Sequence, residues 1–333
     1  MAKILSIDIG NSSIKALVVK DGVVKNVAFF PNRFGKLITV MSNSERIQLT
    51  DDIKSALREN GIGETAVVAS LPESLVFAKT MIFPHMSTPE LSTAIKWELD
   101  QSVPFPPNEI ESSWSVFENN QFTGEDKIGT YVVAVPSKVS ELYLQLFELL
   151  GLEPIRLENE LLPLLRAFST SLEDVSPSFV VDIGYSGIKI ALANKAMIFG
   201  NYYFSVGGQA MTNVIADNFG LSMDQAEQYK RTYGMIESQL DGKIYRVLKP
   251  IVDNLILEIR KMSLTFRNEY GETRINKLLL TGGGSYLQGL AGYLGKSLEG
   301  VEVATGNVFE GQDLDPETLQ LESLFSLAYG LST

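Results

Sequence analysis

Short apolar runs recur along this chain in one order. Ile4 to Ile7 is apolar, Asp8-Ile9-Gly10-Asn11-Ser12-Ser13-Ile14-Lys15 follows, and Ala16 to Val19 is apolar again. This reads as strand, tight turn, strand: a hairpin with small polar residues at its tip. The pattern returns as Phe179 to Val181, Asp182-Ile183-Gly184-Tyr185-Ser186-Gly187-Ile188-Lys189, and Ile190 to Ala193. Two such hairpins, 174 positions apart (182 minus 8), imply two related lobes facing one ligand.

Between them the periodicity switches repeatedly. Val23 to Phe30 extends the first hairpin across an Asp21-Gly22 turn. Thr50 is the expected N-cap of a helix from Asp51 to Asn60, closed by Gly61, and residues 65 to 71 read as a buried strand. Residues 75 to 151 form a β-α-β-β-α pattern. Its strands are expected at Val76 to Phe83, Ser113 to Glu118 and Thr130 to Val135. Its first helix opens on a Ser87/Glu90 capping box and carries the stripe Leu91, Ala94, Ile95, Leu99 and Val103. Its second runs from Ser137, as cap, to Leu150. Pro104-Phe105-Pro106-Pro107 stops the first helix and forces extended backbone.

Leu152 to Leu157 then reads as a strand and Glu158 to Thr170 as a helix. The second lobe follows from residue 176. Met197 to Phe204 is a strand, Val206-Gly207-Gly208 leads into a helix to Phe219, and Ser222 introduces another to Tyr233. The longest helix is expected at Pro250 to Tyr270. Ile275 to Thr281 reads as a strand, with Gly282-Gly283-Gly284-Ser285 leading directly into a helix to Leu298 and a last helix from Glu317 to Leu331. The expected organisation is α/β and two-lobed. The first lobe is 1–74 with 152–175 and 310–333 returning to it, the inserted subdomain is 75–151, and the second lobe is 176–309.

Composition narrows the function. The 333 residues carry a net charge of −12, which argues against nucleic-acid binding and against docking on anionic lipid. With no cysteine and one histidine, His85, thiol chemistry, thiolate zinc sites and multi-histidine metal sites are excluded. Neither a leader-like pattern nor an apolar run of about 18 residues is present, so the expectation is a soluble, cytoplasmic protein.

The candidate chemistry lies in the Gly-rich turns. Small residues at each hairpin tip let backbone N–H groups converge on an anion. Asp8 and Asp182 sit where each first strand meets its turn, and two carboxylates facing a phosphate chain call for Mg²⁺, held largely through water. Thr281-Gly282-Gly283-Gly284-Ser285 would add open backbone beside the same ligand. No Walker loop and no GxGxxG fingerprint is present.

The conjunction of two such hairpins and a strand-GGG-helix turn resembles the actin-like ATPase superfamily. Within it the chain resembles the PilM family of type IV pilus assembly. The likeness is carried by Leu91 to Pro107 with its Trp-Glu pair and Pro-Phe-Pro turn, by Val206 to Tyr233, by the helix around Glu258-Ile259-Arg260 and by Phe325 to Leu331. The resemblance implies ATP between two lobes, with slow or absent hydrolysis. It implies a first phosphate loop at Gly10, Asn11, Ser12, Ser13 and Lys15 based on Asp8, and a second at Gly184, Tyr185, Ser186 and Gly187 based on Asp182. It also implies nucleotide contacts from Gly207, Gly208, Glu227, Lys230, Gly282, Gly283, Gly284 and Ser285, and catalytic candidates in Asp8, Asp182 and, as the weakest, Glu158. Finally, it implies a groove between insert and first lobe for the cytoplasmic N-terminal segment of a PilN-like inner-membrane protein, with Trp97, Phe105 and Trp114 as candidate contacts.

Read without the resemblance, Glu227 and Lys230 are a solvated i,i+3 ion pair, and Lys15 and Lys189 are strand-edge charges, of which Lys15, in the first phosphate loop, has the better claim to a ligand. The alternative functions are a sugar-type kinase of the same fold, or a related scaffold of the FtsA or type II secretion kind. A kinase would need a base facing an acceptor hydroxyl, and no separate aspartate motif supplies one.

Overall fold

The first hairpin lies at the centre of a five-stranded sheet. The computed structural model describes residues 4–117, 120–173 and 175–333, so the expected strand limit at Glu118 falls outside the described residues. Strand β1 (Ile4–Ile9) pairs antiparallel with β2 (Ser13–Lys20), which pairs with β3 (Val23–Pro31). After helix α1 (Asn43–Glu59), β4 (Ala66–Leu71) returns parallel to β1. β1 is buried from Leu5 to Ile9, and its near-continuous apolar run reflects cover on both faces.

The chain then leaves the lobe for a three-stranded antiparallel sheet. This consists of β5 (Phe77–Pro84), α2 (Thr88–Ser102), β6 (Ile110–Phe117), the short α3 (Asn120–Thr123) and β7 (Lys127–Pro136), with β7 central. Leu91, Ile95 and Leu99 of α2 close over Met81, Ile128, Val132 and Ala134 as a separate small core. The Ser87/Glu90 capping box forms as expected.

Helix α4 (Ser137–Leu150) departs from the expected subdomain. Val139, Tyr143, Leu146, Phe147 and Leu150 pack with Leu49, Ile53 and Leu57 of α1 in the first-lobe core. Periodicity located the helix but carries no information about which core its stripe meets. Ser137 is its first residue rather than its cap, and Gly151 ends it at φ 72°. β8 (Glu153–Asn159) joins the sheet beside β4, and α5 (Leu161–Ala167) follows.

The second lobe repeats the plan. β9 (Ser178–Ile183), β10 (Ile188–Ala193) and β11 (Ile198–Phe204) form an antiparallel meander. Helices α6 (Gly208–Phe219), α7 (Met223–Tyr233) and α8 (Lys243–Tyr270) precede β12 (Lys277–Thr281), which lies parallel to β9. After α9 (Leu290–Ser297), β13 (Glu302–Thr305) completes the sheet, and α10 (Pro316–Leu319) and α11 (Glu322–Leu331) close the chain. The strand orders β3-β2-β1-β4-β8 and β11-β10-β9-β12-β13 are the same arrangement twice.

Four expected boundaries shift. The N-cap of helix α1 is Ser42, whose hydroxyl accepts from Glu45 N–H while the Glu45 carboxylate accepts from Ser42 N–H; Thr50 is mid-helix, donating to Arg46 O at 2.8 Å. The polar run 42–46 hides that first turn from the apolar stripe. Glu158 lies in β8, not at a helix start. Helix α8 begins seven residues before Pro250 and contains it. The triple glycine opens a 3-10 turn (Gly283–Tyr286) rather than an α-helix.

Helices α5 and α11 pack on each other between the lobes, within an apolar layer that joins Leu17 and Val24 to Val180, Ala191 and Leu279. The insert reaches the second lobe as well. The Thr80 hydroxyl of β5 donates to Ile198 O of β11. Phe122 of α3 is buried in the second-lobe core, edge-on to Phe199 at 4.7 Å between centroids and 6.2 Å from both Phe266 and Tyr270.

Candidate functional site

The two hairpin tips face each other across a cleft of about 750 Å³. Both have the same local build. Gly10 N–H donates to Ser13 O at 3.1 Å, and Gly184 N–H to Gly187 O at 2.9 Å. Each tip is braced from outside. Asn32 donates from Nδ2 to Gly10 O and from its backbone N–H to Ser12 O. On the second, Gly208 and Gln209 at the start of α6 donate to Gly184 O and Tyr185 O, each at 2.9 Å.

That second seat needs glycine. A Cβ at Gly207 would stand 2.5 Å from Gly187 N and 2.6 Å from Gly184 O, so any side chain would lever α6 off the hairpin. The triple glycine makes a comparable approach. Gly282 has φ 77°, and a Cβ there would lie 2.2 Å from Asp182 Oδ1. Its N–H donates to Ser323 O of α11, which ties the turn to the helix between the lobes.

The charged groups form two matched pairs. In register across each hairpin, Asp8 faces Lys15 and Asp182 faces Lys189. Lys15 Nζ donates to Asp8 Oδ2 at 3.1 Å. Lys189 Nζ donates to Asp182 Oδ2 at 2.6 Å and lies 3.2 Å from Glu160 Oε1. Burial opposes the Lys189 charge, but the Asp182 and Glu160 carboxylates outweigh it and raise its proton affinity well above the lysine range. Burial pushes the Glu160 carboxyl up, with Lys189 opposing and Asp8 adding to the rise.

At the far end, Glu227 and Lys230 of α7 are tied into α6 rather than solvated. Lys230 Nζ donates to Gly208 O at 2.9 Å, to Thr212 Oγ1 at 2.8 Å and to Glu227 Oε2. Glu227 Oε2 also accepts from the Thr212 hydroxyl, and Oε1 from Arg231. Partial burial works against the Glu227 charge, but the hydrogen bonds from Lys230, Thr212 and Arg231 hold its carboxyl at about 2. Burial holds the Lys230 ammonium below the usual lysine range.

The structure therefore brings most of the expected residues to one cleft. Asp8, Gly10, Asn11, Ser12, Ser13, Lys15, Asp182, Gly184, Tyr185, Ser186, Gly187, Gly208, Glu227, Lys230, Gly282, Gly283 and Gly284 all line the cleft. Gly207 stands behind it as a packing position, and Ser285 bonds back to Gly282 O. Glu158 does not line it. Arg166 holds that carboxylate with two hydrogen bonds of 2.7 and 2.8 Å, and Arg156 pairs with it too. Glu160, two residues on, lines the cleft in its place, and with it Lys189. The sequence pattern does not point to Glu160, and it reads Lys189 as a strand-edge charge; the echo of Asp8…Lys15 in Asp182…Lys189 is the signal that places Lys189 here. Trp97 is exposed on α2, Phe105 is half-buried in the proline turn, and Trp114 is half-buried against the insert's own core.

The cleft suits a phosphate-bearing ligand. Asn11 Oδ1 at the first tip is buried with no donor, the kind of orphan that a bound water or a hydrated cation satisfies. Among the described residues, no group of three or more acidic or histidine side chains is arranged to hold a metal directly. Asp8 and Asp182, each with a lysine at hand, instead suit the outer water shell of a cation carried on phosphates.

Two like sheets, each with a small-residue hairpin turned into a shared cleft and two helices packed between them, define an actin-like ATPase fold. Solved structures agree on that fold. MreB5 of Spiroplasma citri bound to AMPPNP matches with a TM-score of 0.57 at 12% identity over 99% of this chain and 95% of that one. The ethanolamine utilization protein EutJ of Carboxydothermus hydrogenoformans matches with a TM-score of 0.60 at 16% identity over 100% of this chain and 89% of that one. The family model described as type IV pilus assembly protein PilM matches residues 6–332, and the chain belongs to that family. A PilM-PilN type IV pilus biogenesis complex contains a chain 25% identical, with a TM-score of 0.83 over 99% of this chain and 98% of that one.

Proposed function

We propose that this chain holds ATP in the cleft and serves as a scaffold of the type IV pilus assembly platform, taking the cytoplasmic N-terminal segment of a PilN-like inner-membrane protein on its inserted subdomain. The observation that carries the nucleotide reading is the facing of the two braced hairpins across one cleft, with the Glu227–Lys230 cluster at its end. The hairpin backbones and Lys15 bind and orient the phosphates. Glu227, Lys230 and the Gly282–Gly284 turn take the nucleoside end. Asp8 and Asp182 accept from the water shell of Mg²⁺, which supplies charge neutralisation on the phosphates. Glu160, the carboxylate beside the phosphates, is engaged at both oxygens, by Lys189 and by Glu73 N–H. That supports holding the nucleotide rather than turning it over quickly. Among the described residues, no helix is long and apolar enough to cross a membrane, so this reading has the chain recruited to the inner face of the inner membrane by its partner.

Calorimetry tests both halves. Asp182→Ala is expected to weaken Mg-ATP by at least tenfold, as for the loss of one charged contact of about 1.4 kcal/mol; unchanged affinity removes the cleft assignment. A peptide of the partner's cytoplasmic segment is expected to bind the parent protein and to fail on Phe105→Glu, which sets a charge in an apolar contact. Equal binding by the variant would place the groove elsewhere.

A further inference from the structure

The inserted subdomain is anchored to both lobes at once. On the first-lobe side the chain reaches it through a 3-10 turn, Glu73–Leu75. Pro72 and Ser74 of this joint line the cleft, while Glu73 between them is buried at 4% exposure. Glu73 N–H donates to Glu160 Oε2 at 2.7 Å, and Glu160 Oε1 meets Lys189 of the second lobe. Asn159 Nδ2 donates to Glu73 Oε2 and to the Tyr131 hydroxyl of β7, each at 3.2 Å. One polar path thus runs from the second hairpin, through the cleft wall and the joint, into the central strand of the insert. On the second-lobe side, Phe122 is sunk among Phe199, Phe266 and Tyr270, and Thr80 bonds to Ile198 O.

A ligand held by both hairpins favours one separation of the lobes over others, and can shift that equilibrium only through such differential contacts. A body fixed to both lobes cannot stay still while they move. Close-packed contacts such as the Phe122 socket respond by changing seat rather than by stretching. The polar path also has an unsatisfied member. Asn159 Oδ1 is buried with no donor, so a rearrangement that supplies one is favoured locally. Burial, and then the nearby Glu160 charge, push the Glu73 carboxyl up to about 8, so near neutral pH this joint carries a proton.

We infer that the insert is a bridge whose seat follows closure of the cleft, so that nucleotide occupancy is expressed at the insert through Glu73–Asn159–Tyr131 on one side and Phe122 on the other. The inference rests on the nucleotide reading above and adds the route by which that site acts on the docking subdomain.

The absence of cysteine makes the test clean. Lys96→Cys on α2 and Glu59→Cys on α1, both exposed positions, carry a pair of spin labels reporting the distance from insert to first lobe. ATP is expected to shift that distance by about 1–2 Å, the scale of interface helix shifts. In Tyr131→Phe and Phe122→Leu backgrounds, chosen to preserve the fold, the shift is expected to fall to less than half while calorimetric ATP affinity stays within about threefold of the parent (under ~0.7 kcal/mol). ATP binding with no shift, or a shift undiminished in both variants, overturns the inference alone. Failure of the parent to bind ATP removes the nucleotide reading and the inference together.

Discussion

Lys189→Met is expected to lower stability by about 3–5 kcal/mol, because it strands charge in the interior. In the parent, the Lys189 ammonium bonds Asp182 at 2.6 Å and meets Glu160 at 3.2 Å, with all three side chains nearly excluded from solvent. Removing one member of a buried cluster leaves the others uncompensated, which is far more costly than deleting a surface pair. On a chain of this size the thermal midpoint by circular dichroism is expected to fall by roughly 10 °C. Lys261→Met, which breaks an exposed helical pair with Glu258, serves as the control and changes stability by less than about 0.5 kcal/mol. Adding Asp182→Asn and Glu160→Gln to Lys189→Met removes the stranded charges and recovers part of the loss. An unchanged midpoint for Lys189→Met would show that the three groups do not form a charged cluster in solution.

That same cluster marks where sequence reading stops. The hairpins were legible because their signals are local: apolar run, Asp, small residues, apolar run, in a span of sixteen positions. Lys189 sits in one of those spans, yet a lysine flanked by isoleucines reads as an edge charge until the strands are placed. Only the sheet order puts its ammonium between Asp182 and a carboxylate from β8's end. Glu158 and Glu160 make the same point over two residues. The apolar pattern ends at Leu157, so a helix from Glu158 was the natural expectation. Pairing with β4 carries the strand on to Asn159 and places Glu160, not Glu158, at the cleft.

Helix α4 and the pair Glu227–Lys230 failed for a different reason. Both were identified correctly as local objects. The stripe of α4 finds its partners on α1, some ninety residues earlier in the chain, and Lys230 bonds Gly208 O, 22 positions away. Spacing along one element cannot report such contacts. In the second case the contacts that take the pair out of solvent come from Gly208 and Thr212 of α6, which spacing within α7 does not reveal.

Glu73 shows how far burial alone can alter a side chain. Its carboxyl is expected to make stability fall with pH across a window in which most proteins are least sensitive. The unfolded chain ionises this group near its ordinary value of 4.5; the folded protein, with the side chain buried and Glu160 nearby, ionises it at about 8. Between those values the folded state binds more protons than the unfolded state, so stability declines as pH rises. The contribution is fully present below about 4.5 and lost by the time pH passes 8, and a shift of this size corresponds to several kcal/mol at about 1.4 per unit. Glu160, also raised, tilts the curve the same way. Glu73→Gln keeps the shape and the Asn159 contact of a neutral acid but cannot ionise. The variant is therefore expected to match the parent near pH 5 and to be more stable than it by an amount that grows up to pH 8 and then levels. Urea denaturation of both proteins at pH 5, 6.5, 8 and 9 gives that difference directly. A difference that stays flat across the series would mean that Glu73 is ionised in the folded protein throughout, and that the joint beside the cleft carries a charge rather than a proton.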